Sequence, residues 1–370
     1  MSSNTKLCIA TGIFPPDQGG PAQFANSFSN WVAKKGVDTS VVSLTNDETS
    51  HTELEDVKID LISRRISLPR RMIKTALFIR KKSRDSRFLV NGLFLETLLA
   101  SLLKPIDYVA KVPGDIVWER ARNTKRTHLN IDEFQKKVPL SLKFMRWAFV
   151  LSLKKARTII SPSTHLAGLI RGWGINEAKI TVVPNSVDSQ LFKPDFKAEK
   201  LYDIITVSRL VEWKGVKELI AVAKELSLRL LVVGSGPQEE ELRQIARESD
   251  ADVLFAGEIS QSDLPALINS SRCFVLNSKY EGSPHSLLEA MSCGALVIAR
   301  SNTGTKELIN SEVDGLLFDN AESLQQTIKT YLGNEAKVSE IGLRARDRIL
   351  NEYSREILFQ RIYKLSMGIE

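Results

Sequence analysis

The chain has 370 residues, of which 43% are hydrophobic and 26% are charged, and its formal net charge is +7. This length exceeds what one hydrophobic core normally organises, so two domains are expected, and the composition excludes an intrinsically disordered chain. No run approaches the roughly 18 apolar residues of a membrane span. The apolar run at residues 7–13 is too short for a signal peptide and lacks a plausible cleavage site.

The three cysteines, Cys8, Cys273 and Cys293, lie in or beside apolar segments. An odd number of cysteines in such positions predicts buried thiols in a reducing compartment, and therefore a cytoplasmic protein. There is no paired spacing of cysteines that would indicate a zinc site.

The predicted elements alternate between strands and helices along the chain. A strand at residues 7–13 is followed by a helix at 21–35 and by strands at 39–44, 108–112, 158–161 and 180–183. Prolines mark a break near residue 190, and the alternation restarts with a strand at 203–207. Further strands are predicted at 253–257, 273–276 and 295–299, and a terminal helix at 354–367. This order predicts an α/β chain with two parallel-sheet domains.

Basic residues are concentrated in the N-terminal half. Residues 1–190 hold 29 Lys and Arg against 17 Asp and Glu, whereas the remainder holds 22 against 27. The densest part, residues 64–87, has ten basic residues opposed only by Asp85, interleaved with apolar residues. Two interpretations stay open: an amphipathic segment that rests on an anionic membrane surface, or an ordinary helix with a solvated basic face. No nucleic-acid binding motif accompanies the charge.

The most informative motif spans residues 281–294. Ser283 suits a helix N-cap, Pro284 the first helical position and Gly294 a left-handed stop, so a helix is predicted at 284–293. The free N–H groups of its first turn favour a phosphate, and the flanking carboxylates of Glu281 and Glu289 favour sugar hydroxyls. The alternative is a capped amphipathic helix with surface glutamates. Strands on both sides place the start of the helix at the carboxyl edge of a parallel sheet, where α/β proteins bind ligands.

The motif of two glutamates eight residues apart, followed by Ala-Met-Ser-Cys-Gly, resembles the signature of the family 4 retaining glycosyltransferases. Other segments resemble this family in the same order along nearly the whole chain. They are residues 14–21, 183–188, 206–215, 231–237 and 253–257. The resemblance implies a GT-B fold, in which two Rossmann-like domains have parallel sheets that face across a cleft. It implies an acceptor-binding domain at 1–190, a nucleotide-sugar-binding domain at 191–353 and a C-terminal helix at 354–370 that returns to the N-terminal domain.

The resemblance also implies roles for individual residues. Arg209 and Lys214 would grip the diphosphate of a nucleoside diphosphate sugar, a task that otherwise falls to a metal; a solvated pair is the alternative. Glu281 would hold sugar hydroxyls and Glu289 the ribose. The remaining donor contacts implied are Gly19 and Gly20 at the phosphate, His285, Ser286 and Leu287 at the helix start, and Gly257, Glu258 and Ile259 beside the base. Gly19 and Gly20 also suit a plain strand-to-helix turn.

One position departs from the family's pattern. The family commonly carries a histidine after the strand that corresponds to residues 108–112, and here the sequence continues Pro-Gly-Asp. Asp115 is the nearest polar substitute beside the reacting sugar, with Lys111 and Glu119 as lesser candidates. Asp250-Ala-Asp252 precedes a predicted strand rather than following one, so we interpret it as a loop and predict no metal site.

The predicted function is therefore a retaining, metal-independent glycosyltransferase that acts on a lipid-linked or glycan acceptor in cell-surface polysaccharide or glycolipid synthesis. No cofactor is expected beyond the donor substrate, and no nucleic-acid partner. The predicted location is the cytoplasm, at the inner face of the cell membrane. A small soluble acceptor, a GT-B epimerase and a non-catalytic sugar-nucleotide-binding subunit are the alternatives. A dehydrogenase would need a dinucleotide fingerprint, and Gly234-Ser-Gly236 is too short to supply one.

Overall fold

A computed structural model describes residues 6–17, 19–46, 51–54, 56–102 and 104–369. They divide into two α/β units. Unit 1 runs to Val183 and resumes from Phe359, and unit 2 spans Pro184–Leu358. Within the described residues, no helix has both the length and the apolar character needed to cross a bilayer.

Unit 1 is built around a sheet with the strand order β3-β4-β2-β1-β5-β6-β7-β8, parallel except for β3, which runs antiparallel to β4. The central strand β1 pairs on one side through Ile9 with Val41 and on the other through Ile9 with Leu89. Its strands are β1 (Lys6–Thr11), β2 (Thr39–Thr45), β3 (His51–Leu54), β4 (Val57–Ser63), β5 (Ser86–Asn91), β6 (Tyr108–Lys111), β7 (Thr158–Ser161) and β8 (Ile180–Val182).

The helices of unit 1 cover this sheet, which explains why its central strands are apolar runs rather than alternating ones. They are α1 (Gly20–Ala33), α2 (Leu68–Lys82), α3 (Phe94–Ala100), α4 (Ile116–Asn123), α5 (Ile131–Lys136), α6 (Leu140–Lys155) and α7 (Thr164–Gly172). In the terminal segment, the ring of Phe359 packs edge-on against Phe24, Phe28 and Trp31 of α1, with centroids 5.9, 5.2 and 5.9 Å apart.

Unit 2 contains a wholly parallel sheet with the strand order β11-β10-β9-β12-β13-β14. Its strands are β9 (Tyr202–Val207), β10 (Leu230–Val233), β11 (Val253–Gly257), β12 (Ser271–Leu276), β13 (Leu296–Arg300) and β14 (Leu316–Phe318). Its helices are α8 (Val216–Glu225), α9 (Glu239–Glu248), α10 (Leu264–Asn269), α11 (His285–Ser292), α12 (Thr303–Leu308), α13 (Ala321–Leu332) and α14 (Glu335–Arg348), and α15 (Arg355–Met367) begins in unit 2 and ends in unit 1.

Alternate residues of the unit 2 strands enter two hydrophobic clusters, one on each side of the sheet. Ile205 and Phe274 belong to one cluster, and their chain neighbours Ile204 and Cys273 belong to the other. Since side chains alternate along a strand, each strand contributes to both cores. The order of the strands reverses between β9 and β12, so the loops after these two strands are neighbours at the carboxyl edge.

All the predicted strands are present, with ends shifted by one or two residues, and the terminal helix is confirmed as α15. The three cysteines are free and buried, as predicted. The predicted start of the helix at 284–293 was wrong by one residue. Pro284 occupies the N-cap position of α11 and Ser283 makes no capping bond. Gly294 does adopt the predicted left-handed conformation, with φ of 69°.

Candidate functional site

The loop after β9 carries Arg209 to the carboxyl edge of the unit 2 sheet. The Leu210 N–H donates to the Ser235 carbonyl at 2.8 Å, which ties this loop to the turn after β10. A Cβ atom at Gly234 would collide with the Ser208 carbonyl, and one at Gly236 with the Leu210 carbonyl. The two glycines are therefore needed for a close backbone approach that holds the Arg209 loop in place. The sequence alone indicated only that these glycines are spaced too closely for a dinucleotide fingerprint.

The guanidinium of Arg209 has no hydrogen bond or ion pair within the described parts of the chain, and the residue is exposed. An exposed arginine on a loop fixed by backbone contacts presents a positive charge that cannot be lost at physiological pH. Its fork of N–H donors suits the oxygens of a phosphate.

A short 3-10 turn, Glu212–Lys214, follows and is fixed by a polar network that the sequence did not reveal. Gly215 ends the turn with φ of 67°, and its carbonyl accepts from Asn277 Nδ2 at 2.8 Å. Arg300 Nε donates to Asn277 Oδ1 at 2.8 Å, and Arg300 also pairs with Glu218. Because a Cβ atom at Gly215 would collide with Asn277, only glycine fits this position. The network joins the ends of β12 and β13 to the turn.

Lys214 and Glu281 meet at this edge. Lys214 Nζ donates to Glu281 Oε1, and the two side chains are only 18% and 10% exposed. The backbone of Glu281 packs so closely on Gly304 that any side chain at that position would collide with the Glu281 carbonyl. The structure thus brings together two predicted site residues that lie 67 positions apart. Such a pair places a cation and a carboxylate side by side in partly dehydrated surroundings, where both act more strongly than in water.

The segment before α11 is fixed by Asn185. Its backbone N–H donates to Ser283 Oγ at 3.3 Å, and its Nδ2 donates to the Ser283 carbonyl at 2.8 Å. Since the Ser283 hydroxyl accepts from Asn185, it does not cap the helix. The first turn of α11 contains the predicted residues His285, Ser286 and Leu287, whose backbone N–H groups precede the first intrahelical bond. His285 and Ser286 are half-buried and Leu287 is fully buried.

Glu289 lies on the buried side of α11. Its Oε1 accepts from Gln261 Nε2 at 3.3 Å. Burial raises the pKa of this carboxyl to about 7, against smaller lowering effects of Gln261 and Arg355. The carboxyl therefore carries a proton for part of the time near neutral pH, and it can both donate and accept a hydrogen bond.

The three residues predicted beside the base follow β11. Gly257 adopts a left-handed conformation with φ of 67°, and its carbonyl accepts from the Gly234 N–H at 2.7 Å. Glu258 is exposed and accepts from the Ser235 hydroxyl, while Ile259 packs against the core. The turns after β10 and β11 are thus joined, and the roles of these three residues stay predictions.

In unit 1, Gly19 is the N-cap of α1, with φ of 128° and ψ of 158°, and Gly20 is its first residue. Few residues other than glycine adopt this conformation, so Gly19 is required by the local backbone. Because Gly19 and Gly20 have no side chains, the first N–H groups of α1 are also accessible to an anion. Their predicted contact with the donor phosphate stays a prediction.

Asp115 has a structural environment. It is buried and caps α4 by accepting from the N–H groups of Val117 and Trp118 at 3.0 and 3.1 Å. Its other oxygen accepts from Arg146 at 2.5 Å and from Gln135 at 2.9 Å. Because both oxygens are held by protein donors, this geometry favours a structural role for Asp115 over the predicted role beside the reacting sugar.

The two lesser candidates differ. Lys111 is buried at the end of β6, with Nζ 4.4 Å from the centre of the Phe24 ring, and burial lowers the pKa of its ammonium to about 8. Glu119 is exposed as a residue, but its carboxylate lies against Gly114, where lost hydration and the charge of Asp115 raise its pKa. Among the described residues, neither the Lys111 ammonium nor the Glu119 carboxylate has a hydrogen bond or an ion pair.

No group of three or more histidine, cysteine or acidic side chains suited to a metal ion occurs within the described ranges. The Asp250-Ala-Asp252 segment precedes β11 as a loop, as predicted.

Comparison with known proteins finds a family that matches unit 2. Residues 188–348, nearly all of unit 2, match the family described as glycosyl transferases group 1. The chain has Arg209, Lys214, Glu281 and Glu289 within this matched range. It is 28% identical over 235 residues to an N,N'-diacetylbacillosaminyl-diphospho-undecaprenol alpha-1,3-N-acetylgalactosaminyltransferase of Campylobacter jejuni, and the match covers 59% of this chain and 62% of that protein. The chain therefore spans about three fifths of the length of that curated relative.

Solved structures resemble this chain over nearly its whole length. Sucrose-phosphate synthase from Thermosynechococcus elongatus has a TM-score of 0.81 at 18% identity, and the match covers 98% of each chain. HepE of Anabaena, in complex with UDP and glucose, has a TM-score of 0.79 at 16% identity, over 99% of this chain and 100% of that one. These likenesses show the GT-B fold that the sequence predicted.

Proposed function

We propose that this chain transfers a glycosyl group from a nucleoside diphosphate sugar to a lipid-linked acceptor, with retention at the anomeric carbon. The product would belong to a cell-surface polysaccharide or a glycolipid. The observation that carries the proposal is the cluster at the carboxyl edge of the unit 2 sheet. It consists of Arg209, which is unpaired among the residues that the structure describes, the Lys214–Glu281 pair and the start of α11. Fixed cations beside a helix N-terminus match the charge of a departing diphosphate.

In this mechanism the bond between the anomeric carbon and the donor phosphate breaks while the acceptor oxygen bonds to the same face of that carbon. The proton of the acceptor hydroxyl passes to an oxygen of the diphosphate. Arg209 and Lys214 stabilise the negative charge that develops on this leaving group, and the first N–H groups of α11 add to it. Positive side chains thereby perform the neutralisation that a divalent metal performs elsewhere.

The carboxylates have a different task. Glu281 is held beside Lys214, so its second oxygen is positioned to accept from a hydroxyl of the transferred sugar. Glu289, whose pKa is about 7, is suited to hydroxyl groups of the ribose because it can donate as well as accept. The base would lie beside Gly257, Glu258 and Ile259. These residues follow β11, which is separated from β9 by one strand, β10. The structure of HepE with UDP supports a nucleotide on this fold.

Two observations support a lipid-linked acceptor. The name of the Campylobacter jejuni relative contains diphospho-undecaprenol, a polyprenyl diphosphate. In unit 1 of this chain, helix α2 exposes Arg70, Lys74 and Lys81 without an acidic residue in the helix, as a surface that docks on anionic lipid requires. Docking through this basic segment, residues 64–87, would bring the enzyme to the inner face of the cell membrane.

A donor screen tests the reaction. Purified full-length chain is incubated with individual nucleoside diphosphate sugars, with and without a polyprenyl-diphosphate-linked sugar, and release of nucleoside diphosphate is followed. Acceptor-dependent release with one donor supports the proposal. Release that depends instead on a soluble sugar identifies a soluble acceptor, and isomerised donor without release identifies an epimerase. Donor binding without turnover under any condition indicates a sugar-nucleotide-binding subunit and contradicts the proposal.

A further inference from the structure

Three helices of unit 1, α2, α3 and α6, form one layer against the sheet. Arg80 of α2 donates to the Ala100 carbonyl of α3 at 3.1 Å, and Phe94 of α3 packs on Phe149 of α6 with ring centres 5.2 Å apart. The layer rests on the sheet at both ends. Lys82 pairs with Asp60 of β4 at 3.0 Å, and Tyr108 of β6 donates to the Ser152 carbonyl of α6. The sides of these helices that face away from the sheet therefore point in a common direction.

That outward side is apolar as well as basic. Eight of the 17 exposed large apolar residues among the described residues lie on these three helices or just beyond α3. The largest are Phe144 and Trp147 of α6, which are 76% and 58% exposed, with ring centres 5.6 Å apart. The others on this side are Ile73 and Leu77 of α2, Leu99 and Leu102 in and after α3, and Leu140 of α6. Leu68, in the first turn of α2, lies instead at the angular position of the buried Thr75 and Ile79. We call the seven residues other than Leu68 the outer apolar patch.

The spacing along the helices shows that the patch is ordered. Leu140, Phe144 and Trp147 are separated by four and three residues and so share one side of α6. On α2, Ile73 and Leu77 lie on the same side as Arg70, Lys74 and Lys81. Apolar and basic side chains thus alternate on one exposed surface. A single exposed leucine needs no explanation, but a contiguous patch of this kind marks an interaction surface.

The charge around the patch identifies the partner. Helix α2 has six basic residues and α6 has four, and neither has an acidic one. Glu96 of α3 is the one acidic residue in the three helices, and it is partly buried, near Arg71. A protein partner would have to be strongly acidic and apolar together. Leucine, phenylalanine and tryptophan surrounded by lysine and arginine are instead the composition of surfaces that enter the headgroup region of anionic bilayers.

We propose that the outer apolar patch inserts into the headgroup region of an anionic bilayer, with the rings of Phe144 and Trp147 as the main anchors. Basic residues of α2 and α6 attract the surface, and the apolar side chains then hold the protein there. This extends the docking suggested under the proposed function and adds an anchor that the charge of residues 64–87 does not provide. Because vesicle binding needs no substrate, its outcome is independent of the reaction.

The two contributions differ in their response to salt. Attraction between Lys or Arg and lipid phosphates weakens as ionic strength rises, whereas burial of aromatic rings does not. Removing each ring should lower the partition coefficient between water and vesicle about tenfold. This factor is expected for a side chain of this size that is only partly buried in the bilayer. The double variant should therefore bind about 100-fold more weakly at every salt concentration.

The test uses the full chain and vesicles of phosphatidylcholine with about one third phosphatidylglycerol, compared with pure phosphatidylcholine. In the ring variant, Phe144 and Trp147 are both replaced by Ser. In the charge variant, Arg70, Lys74 and Lys81 are all replaced by Gln. Phe196→Ser in unit 2, where the phenylalanine is 81% exposed, is the matched control. We expect the ring variant to bind more weakly than the wild type at low and at high salt. The charge variant should bind more weakly mainly at low salt, where the charges are not screened, and the control should bind like the wild type.

Folding and self-association are measured on the same samples. Because the changed residues are exposed, thermal midpoints should stay within about 2 °C of the wild type. Quenching of Trp147 fluorescence by lipids brominated near the headgroup, read as the difference from Trp147→Phe, should appear only with anionic vesicles. Unchanged binding of the ring variant overturns the proposal. The proposal is also overturned if the wild type is a dimer that does not bind vesicles and the ring variant is a monomer. The patch would then lie between two copies of the chain.

Discussion

Arg209 and Lys214 should respond differently to removal, because only one of them has a partner in the protein. Arg209 is exposed and unpaired among the described residues, so Arg209→Ala should change the free energy of unfolding by no more than about 0.5 kcal/mol. Lys214→Ala removes a charge-assisted bond and leaves Glu281, with a side chain 10% exposed, without its cation. A loss of about 2 to 3 kcal/mol is expected, in the range for a partly buried charged pair.

Both substitutions should lower turnover by about 100- to 1,000-fold, because each removes a fixed positive charge from the leaving diphosphate. Urea denaturation gives the stabilities, and release of nucleoside diphosphate gives the turnover. Lys217→Ala serves as the control, since Lys217 is exposed on α8 close to both residues in sequence. The reasoning is refuted if Arg209→Ala retains full turnover, or if it costs as much stability as Lys214→Ala does.

Three further predictions follow from the site. Glu289→Gln should stabilise unit 2 by about 1 to 3 kcal/mol at pH 8 but by much less at pH 5. The folded pKa of about 7 lies above the unfolded value of 4.5, so the wild type loses stability as pH rises between the two; equal effects of the substitution at both pH values would contradict this. Asp115→Ala should lower the stability of unit 1 by about 2 to 4 kcal/mol, because it removes a helix cap and leaves Arg146 without its carboxylate. An unchanged urea midpoint with lost turnover would instead restore the catalytic role. Finally, activity should survive chelation of divalent metals, since Arg209 and Lys214 supply the positive charge; loss with EDTA that manganese reverses would oppose this.

The sequence predicted the fold well because apolar runs and their spacing report local structure. Most strands of both sheets, the helix α15 and the left-handed Gly294 follow from patterns within a few residues. The position of the motif between β12 and β13 also followed, whereas the order of the strands within each sheet did not. Strands β3, β4, β5 and β14 were not predicted; in β4, Lys58 and Asp60 interrupt the apolar residues.

Contacts between distant residues decided what the sequence could not predict. Lys214 and Glu281 were each assigned to the donor, yet their mutual pairing depends on the adjacency of β9 and β12. Gly234 and Gly236 look like an ordinary turn until the loop of Arg209 packs on them. The hydroxyl of Ser283 had the correct type and position for a cap, but Asn185, 98 residues away, donates to it.

The outer apolar patch also could not be predicted from the sequence. The charge of residues 64–87 is visible in the sequence, whereas the apolar residues of α6 are spaced as any buried helix would be. Only their exposure separates Phe144 and Trp147 from buried neighbours such as Phe149.

The most direct test of the central claim is the mass of the acceptor after reaction. The full chain is incubated with a polyprenyl-diphosphate-linked sugar and the donor selected by the screen, and the lipid product is analysed by mass spectrometry. We predict a gain of one glycosyl residue with the wild type and with Lys217→Ala, and a gain reduced at least about 100-fold with Arg209→Ala. An acceptor of unchanged mass with every donor tested, or equal product from Arg209→Ala, would contradict the account.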